Sequence, residues 1–361
     1  MSNTTVPTNL PVAASSLNAS VIPYYDYVYD EEKFAIQETL WKRMSVFSMV
    51  IYGLAFVLGV IGNGLVIFIT GFRMKKTVNT VWFLNLAIAD FAFTFFLPLS
   101  IAHVALKFHW PFGLVMCKLN STLAFLNLYA SVYLLTVISI DRCISVRWPV
   151  WAQNHRTPRL ASFVAFCVWI LALVLCSPNI HFRDTAPSHL NENETICYSN
   201  YGNNLEQRKI SHRAMIISRF IFAFIIPFSV IVICYGAIVL KLRRNRLTQS
   251  NKPFKVITAV IVAFFVCWFP YHVFSIVETA AGEYDPELHL VLLIAVPLTS
   301  SLAFINSCLN PILYVFMGHD FKERLRYSLL SAFENAFADD SSQSTTSTKA
   351  KSSEEMESQA L

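Results

Sequence analysis

The chain is short of charged residues. Of its 361 residues only 14% are Asp, Glu, Lys or Arg, whereas 55% are hydrophobic. Soluble domains carry roughly a quarter charged residues, so much of this chain faces a solvent other than water. The net charge, 28 minus 23 or +5, is too small to indicate a nucleic-acid partner. The eight cysteines include no CxxC pair and no Cys/His cluster with zinc spacing, which excludes a disulfide scaffold and a zinc module.

Seven stretches lack charge almost completely, since Asp90 is the only charged residue in any of them. A bilayer core is about 30 Å thick, so a helix needs roughly 20 apolar residues to cross it. The stretches are 44–72, 78–106, 119–140, 160–182, 220–240, 256–277 and 288–318. Seven such stretches joined by short polar loops argue against buried helices of a soluble protein. The sequence therefore predicts an all-α membrane protein, a bundle of seven transmembrane helices in contact with lipid.

Basic residues crowd three of the connecting loops and predict the orientation. The loops after the first, third and fifth stretches hold one acid, Asp141, which is followed directly by Arg142. They also hold twelve further basic residues, Arg73, Lys75, Lys76, Arg147, Arg156, Arg159, Lys241, Arg243, Arg244, Arg246, Lys252 and Lys255. An excess of Lys and Arg marks cytoplasmic loops. We therefore expect a multi-pass protein of the plasma membrane with its N-terminus outside and its C-terminus in the cytoplasm.

The two ends of the chain predict separate regions flanking the bundle of residues 44–318. Residues 1–43 form an acidic, Tyr-rich outer tail, in which Tyr24, Tyr25, Tyr27 and Tyr29 stand among acids and are predicted to be sulfated. Residues 319–337 have apolar positions at four-residue spacing, which predicts a short amphipathic eighth helix on the membrane surface. Residues 338–361 are almost free of apolar side chains and are expected to be disordered.

Modification sites follow from this topology. Asn3, Asn18 and Asn193 head glycosylation sequons on the predicted outer face, whereas the sequon at Asn120 falls inside the third stretch and should be inaccessible. Near the inner end of the chain, phosphorylation is predicted at Ser341, Ser342, Ser344, Thr345, Thr346, Ser347 and Thr348.

Several chemistries are excluded by what the stretches lack. The last stretch contains no Lys, which a retinal Schiff base requires. No GxSxG, HExxH or paired intramembrane carboxylate occurs, so we expect no catalytic residue and no enzyme. A transporter commonly shows an internal repeat and several ionisable residues near mid-membrane, which this chain does not. A signalling receptor is favoured, and a transporter or channel is the alternative class.

Short motifs, one within or directly at the end of each of six stretches and in order, resemble the rhodopsin-like (class A) G-protein-coupled receptors. They are Gly62-Asn63-Gly64, Leu86-Ala87-Ile88-Ala89-Asp90, Asp141-Arg142-Cys143, Trp169, Cys267-Trp268-Phe269-Pro270 and Asn310-Pro311-Ile312-Leu313-Tyr314. The third departs from the usual Asp-Arg-Tyr, as in several chemoattractant receptors. Residues 72–86 and 182–185 look similar to chemerin receptors, 306–325 to formyl-peptide receptors, and 149–157 to both. The resemblance is thus to the chemoattractant branch.

The resemblance implies how such a chain would couple to a G protein. Arg142 would be freed to contact the G protein, although a plain interfacial cation is the alternative interpretation. The further activation residues are Asp141, Tyr235, Phe264, Trp268, Asn310, Pro311 and Tyr314. Ser250 stands where some relatives carry an acid that locks the arginine, so any inactive-state latch must be weaker or made differently. Cys117 and Cys197 both lie on the oxidising outer face and are predicted to form a disulfide.

An acid at mid-membrane depth is costly unless it is solvated or paired, so Asp90 predicts a polar cluster. Its expected members are Asp90, Asn127, Ser131, Asn306, Ser307 and Asn310. The resemblance implies that they hold an allosteric sodium ion, and a purely structural hydrogen-bond network is the alternative. No other cofactor is expected.

Arg219 is the residue most suited to binding a ligand. It lies eight positions before Pro227, about 12 Å closer to the outer face, where a guanidinium binds a carboxylate bidentately. Snorkelling to the outer interface is the alternative interpretation. The other predicted pocket residues are Phe125, Trp268, Tyr271, His103 and Phe304. Formyl-peptide receptors resemble this chain but carry Asp and Arg where Phe125 and Met215 stand, so we expect a more apolar and less charged pocket than theirs.

These features predict a chemoattractant receptor that acts in leukocyte chemotaxis or inflammation. The ligand is a peptide or protein, and the resemblance implies coupling to inhibitory heterotrimeric G proteins. Receptor kinases and arrestin would then desensitise it. An anionic lipid ligand and a non-signalling scavenger are the alternatives that keep this fold.

Overall fold

A computed structural model describes residues 31–188, 193–202, 204–245, 252–280, 286–317 and 323. Several predicted features fall outside these residues. They are the sulfation tyrosines Tyr24, Tyr25, Tyr27 and Tyr29, the sequons at Asn3 and Asn18, Ser250, the surface helix apart from Glu323, and the predicted phosphorylation sites between 341 and 348.

The described chain folds into helices and one short hairpin. The helices are α1 (Glu31–Phe68), α2 (Val78–Phe95), α3 (Leu97–Ala105), α4 (Gly113–Arg147), α5 (Pro149–His155), α6 (Pro158–Phe182), α7 (Leu205–Phe220), α8 (Ile226–Asn245), α9 (Lys252–Ala280) and α10 (Pro286–Met317). Within the described residues seven helical stretches are long and apolar enough to cross a membrane, which confirms the predicted bundle. Helix α1 starts at Glu31, thirteen residues before the predicted first stretch at residue 44.

Prolines shape two of the spans. A proline ring clashes with the carbonyl four residues earlier and removes one backbone hydrogen bond. The second span breaks at Phe96, two residues before Pro98, into α2 and α3. In the fifth span a π-helical turn, Ile221–Ile225, joins α7 to α8 just before Pro227. This wider turn includes Ala223, the residue whose carbonyl the Pro227 ring would otherwise meet.

Helix α4 lies at the centre of the bundle. In its membrane window 67% of residues are buried, against 22% in α1 and 28% in α6. It packs against α2, α6 and α8, and Leu128 and Leu134 on it are fully buried. The outer surfaces of the other helices expose apolar side chains such as Phe163 and Val266, as contact with lipid requires. Residues on α4 can therefore contact several other helices of the bundle.

A hairpin covers the end of the bundle that the loop charges predict to be extracellular. This end is called the outer end below, and the opposite end is called the inner end. Strands β1 (Arg183–Pro187) and β2 (Thr195–Ser199) pair antiparallel, with Thr185 opposite Cys197. A disulfide joins Cys197 to Cys117 near the start of α4, as predicted. The hairpin is thus attached directly to the central helix, and its first residue, Arg183, points into the buried interior with 5% of its surface exposed.

Candidate functional site

A small cavity lies between α4, α9 and α10. Its walls are formed by Ala124, Phe125, Trp268, Tyr271, Ser300, Ala303 and Phe304. About 240 Å³ lies between these atoms when the open solvent at the mouth is included, and the enclosed part has room for roughly one water molecule. Phe125, Trp268, Tyr271 and Phe304 are predicted pocket residues that the structure brings together, and the lining is mainly apolar, as expected.

Arg219 is buried beside this cavity. Its guanidinium donates a hydrogen bond of 2.8 Å to the hydroxyl of Tyr271. Its central carbon lies 4.0 Å from the centroid of the Phe125 ring, a cation–π contact. Only 3% of Arg219 is exposed, which argues against snorkelling into outer water. No Asp or Glu among the described residues forms an ion pair with it.

A buried cation without a paired acid is costly in a protein interior, because desolvation is not repaid by a nearby opposite charge. The hydroxyl of Tyr271 and the face of Phe125 compensate only in part. Both of these side chains also line the cavity, so an anionic group entering it would reach the guanidinium. The arrangement can therefore bind a carboxylate or another small anion.

Arg183 is a second buried cation, and the sequence did not identify it as a site residue. Its Nε donates to Ser121 Oγ at 2.5 Å and its Nη1 donates to Ser199 Oγ at 3.1 Å. Burial lowers the pKa of Arg183 to about 10, and the positive charge of Arg219 acts in the same direction. Two buried cations, Arg183 and Arg219, therefore lie toward the outer end of the bundle, and together they favour an anion there.

His103 does not reach the cavity. Its ring stands edge-on to Phe108 and Trp110, each 5.1 Å away between ring centroids, and its Nε2 lies 3.1 Å from the carbonyl of Phe108. These contacts fix the turn that follows α3.

The polar residues predicted around Asp90 mostly meet. Asn310 donates to Asp90 Oδ2 at 2.7 Å, and the amide of Asn127 lies 3.1 Å from Asp90 Oδ1. The same amide contacts Ser307 Oγ at 2.8 Å and Ser131 Oγ at 3.2 Å. The cluster joins α2, α4 and α10 in the interior of the bundle. Asn306 is also buried, and its Oδ1 has no hydrogen-bond partner among the described residues.

Trp268 connects the cavity to the core beneath it. It lines the cavity, and its ring centroid lies 5.7 Å from that of Tyr271 and 6.0 Å from that of Phe264. Phe264 is 1% exposed, one helical turn further inward on α9. Pressure on the indole from the cavity would therefore act on a close-packed residue, which cannot yield without repacking.

The inner end of α4 carries the predicted coupling residues Asp141 and Arg142. Arg142 donates a hydrogen bond to Asn79 and lies 3.5 Å from Asp141. Arg156, just before α6, pairs with Asp141 through two contacts of 2.7 and 2.9 Å. The sequence counted Arg156 only as a loop cation and did not single out Asn79 at all. Nothing in the sequence pattern shows that these residues meet.

The remaining coupling residues lie on neighbouring helices. Tyr235 on α8 accepts a hydrogen bond of 3.4 Å from Thr258 on α9. Pro311 and Tyr314 belong to the inner part of α10. The predicted swing of Tyr235 and Tyr314 toward Arg142 concerns another state of the bundle and stays a prediction.

Comparisons with known proteins agree with this geometry. Residues 62–314 match the family of 7 transmembrane receptors of the rhodopsin type. The chain is 45% identical to "Chemerin-like receptor 1" of Rattus norvegicus over 333 residues, covering 89% of this chain and 87% of the relative. It is 44% identical to "N-formyl peptide receptor 3" of Macaca mulatta over 330 residues, covering 86% of this chain and 93% of the relative. The same receptor of Homo sapiens is 43% identical over 334 residues, covering 88% and 93%.

The family match covers more than half of the chain, and the alignments with the relatives cover most of each relative's length. Members of this family are receptors, which confirms that the chain is not an enzyme. The predicted resemblance is likewise confirmed. The chain belongs to the rhodopsin family of seven-transmembrane receptors, in the chemoattractant branch that it shares with chemerin-like and N-formyl peptide receptors.

Proposed function

We propose that this protein is a plasma-membrane chemoattractant receptor. It binds the terminus of an extracellular peptide or protein and promotes nucleotide exchange on heterotrimeric G proteins of the inhibitory class. The observation that carries the proposal is Arg219, a buried cation with no acidic partner among the described residues, whose two contacts line the cavity. A peptide carboxylate is the anion that matches this site.

The names of the relatives support a peptide or protein ligand over an anionic lipid. One group is named for chemerin and the other for N-formyl peptides. The outer tail and the loop around Glu283, Asp285 and Glu287 are acidic. Sulfation of the tail tyrosines would add to this negative charge. Such a surface steers a cationic ligand toward the bundle, while its terminal carboxylate binds at Arg219.

Regulation follows from other parts of the chain. Phosphorylation of the tail serines and threonines would add negative charge and create an arrestin-binding segment, so receptor kinases and arrestin are proposed partners. The oxygen-rich cluster around Asp90 suits a sodium ion, because amide, hydroxyl and carboxylate oxygens are ligands that hard cations prefer. A bound ion would couple the charge of Asp90 to the arrangement of α2, α4 and α10.

One experiment separates the candidate functions. The purified receptor in lipid nanodiscs is incubated with inhibitory G protein and, in parallel, with each other class of G protein. Leukocyte chemoattractant peptides, chemerin-type C-terminal peptides and anionic lipids are added in turn, and peptide binding and nucleotide exchange are measured. Exchange promoted by a peptide supports the proposal. Exchange promoted only by lipids would show that the ligand is an anionic lipid and not a peptide. Peptide binding without exchange on any G-protein class identifies a scavenger. Ligand-dependent flux in proteoliposomes without exchange identifies a transporter or channel.

Arg142→Ala tests the coupling step. The variant should reach the cell surface and bind the peptide as the wild type does, yet promote no exchange, because Arg142 lies at the inner end of α4, far from the cavity. Normal exchange by this variant would contradict the assignment of Arg142.

A further inference from the structure

Two cations compete for one acid at the inner end of the bundle. Arg142 and Arg156 both contact Asp141, and the Oδ1 atom of Asn79 accepts a hydrogen bond from both guanidiniums. Asn79 is neutral and lies in the first turn of α2. The cluster thus holds two positive charges and one negative charge, so one arginine must be held less tightly than the other.

Arg142 is the arginine that is held less tightly. Arg156 occupies both carboxylate oxygens, with Nε 2.7 Å from Oδ1 and Nη2 2.9 Å from Oδ2. Two parallel charge-assisted hydrogen bonds of this kind form the strongest arginine–carboxylate pair. Arg142 approaches Asp141 only to 3.5 Å. Its Nε is buried and has no hydrogen-bond partner among the described residues.

Ser250 stands where some relatives carry an acid at the foot of the sixth span. Of the contacts described, the Arg142 guanidinium has one hydrogen bond, to the neutral amide of Asn79, and one longer ion pair, to Asp141.

We propose that Arg156 sets the activation threshold by competing with Arg142 for Asp141. While Arg156 occupies the carboxylate, Arg142 is retained mainly by Asn79 and is released at low cost. The inference rests on the proposed function, in which Arg142 leaves these partners to contact the G protein. Arg156 acts through Asp141, so it is a positioning residue and does not itself contact the G protein in this role.

The proposal requires opposite effects from two substitutions in one cluster. Arg156→Gln frees Asp141 to pair bidentately with Arg142, so basal nucleotide exchange should fall. Asn79→Ala removes the hydrogen bond that retains Arg142, so basal exchange should rise by about tenfold, since a hydrogen bond to a charged group is worth roughly a factor of ten or more. A merely structural role for the cluster would move both variants in the same direction.

Asn79→Asp gives a second route to the same prediction. The new carboxylate balances the two guanidiniums, and it is favoured by its place at the N-terminus of α2, where the helix dipole is positive. Each arginine then has its own acid, so basal exchange should fall as in Arg156→Gln. This variant leaves Arg156 intact and therefore serves if Arg156→Gln does not fold.

The test measures ligand-independent exchange on purified inhibitory G protein, with each variant reconstituted in nanodiscs at equal amounts. Arg159→Gln is the matched control, because Arg159 is an exposed cation three residues away and should leave exchange unchanged. Arg156→Gln is also made in an Asp141→Asn background, where no carboxylate remains to be released. There it should have no further effect, whereas loss of a direct contact with the G protein would lower exchange again.

Three outcomes overturn the inference. Basal exchange could rise with Arg156→Gln, or Arg156→Gln could lower exchange as much in the Asp141→Asn background as in the wild type. The third outcome is that the wild type promotes exchange and all the variants match it. If the wild type promotes no exchange on any G-protein class, even with the ligand panel, the proposed function fails and the inference fails with it. The two failures are therefore distinguishable.

Discussion

Arg219 is held between Tyr271 and Phe125. Its role can be tested by changing the C-terminus of the peptide and by substituting the arginine. A peptide agonist is compared with the same peptide carrying a C-terminal amide. The wild type should bind the acid more tightly by about 1.5 to 3 kcal/mol, the value of a hydrogen bond to a charged group. In Arg219→Ala the acid and the amide should bind alike. Competition binding measures the four affinities.

Arg219→Lys and Tyr271→Phe serve as matched variants. Lysine keeps the charge but loses the planar fork, so part of the preference for the acid should remain. Tyr271→Phe removes only the hydroxyl that orients the guanidinium, with the aromatic wall retained. An acid preference that persists unchanged in Arg219→Ala would show that the carboxylate binds elsewhere, and Arg183 would then be the next residue to substitute.

The sequence predicted Arg219 but not Arg183, and the reason is physical. Arg219 directly precedes the uncharged stretch 220–240, so its depth relative to Pro227 follows from the helical rise. Arg183 comes at the end of a helix, where a cation ordinarily points to water or lipid headgroups. Its burial depends on the register of the hairpin, which sets it opposite Ser199. Such pairing across a loop is not encoded in local spacing. The same holds for Asn79 and Arg156, which meet only after three helices have packed.

At the scale of a single element, α1 depends on a close approach to α2 that a glycine permits. A Cβ atom added at Gly59 would lie 2.4 Å from Thr94 Cγ2 and 2.8 Å from Thr94 Cβ. Thr94 cannot rotate freely, because its hydroxyl donates to the carbonyl of Asp90 at 2.8 Å. Gly59→Ala should therefore destabilise the bundle by about 1 to 3 kcal/mol, the usual cost of overpacking.

Gly53 on the same helix is the matched control, since nothing lies within 4 Å of an added Cβ there. Gly53→Ala should leave the melting temperature of the purified receptor unchanged or raise it slightly, because alanine favours helix. Adding Thr94→Ser to Gly59→Ala removes the nearest atom and should restore part of the loss. Equal melting temperatures for the two alanine variants would contradict the proposed contact.

The outer hairpin is an element whose position depends on one covalent bond. The Cys117–Cys197 disulfide closes a loop of 80 residues and attaches β2 to α4. The double variant Cys117→Ser, Cys197→Ser should lose the protection of amide hydrogens in β1 and β2 while the middle of α4 stays protected. Hydrogen exchange by mass spectrometry measures both. Peptide affinity should also fall, because β1 positions Arg183.

Exchange in β1 and β2 that is unchanged without the disulfide would show that strand pairing alone holds the hairpin. The control for nonspecific cysteine loss is Cys167→Ser, since Cys167 is an exposed free cysteine of α6. That variant should match the wild type in both exchange and peptide affinity.

For the whole molecule, the number and order of spans were predictable, because lipid imposes one length and one composition on every crossing. The breaks inside the spans were harder to predict. The sequence marks prolines, but the second span breaks at Phe96 while α6 continues through Pro178. Whether a helix bends, widens into a π turn or continues is decided by its neighbours, which satisfy the freed carbonyl groups.

The orientation of the whole bundle is predicted by charge alone and can be tested by glycosylation. If the basic loops face the cytoplasm, Asn193, which is exposed between the two strands of the hairpin, meets the glycosylation machinery together with Asn3 and Asn18. Asn120 does not, because it lies within α4 and exchanges hydrogen bonds of 3.4 and 3.2 Å with Ser100. Asn→Gln variants at the three outer positions should each reduce the mass released by glycosidase, and Asn120→Gln should not.

A sequon engineered between α8 and α9 should stay unmodified, since that loop is basic. Glycan on the engineered site, with none on the outer three, would invert the orientation and with it the assignment of the cavity to the extracellular side.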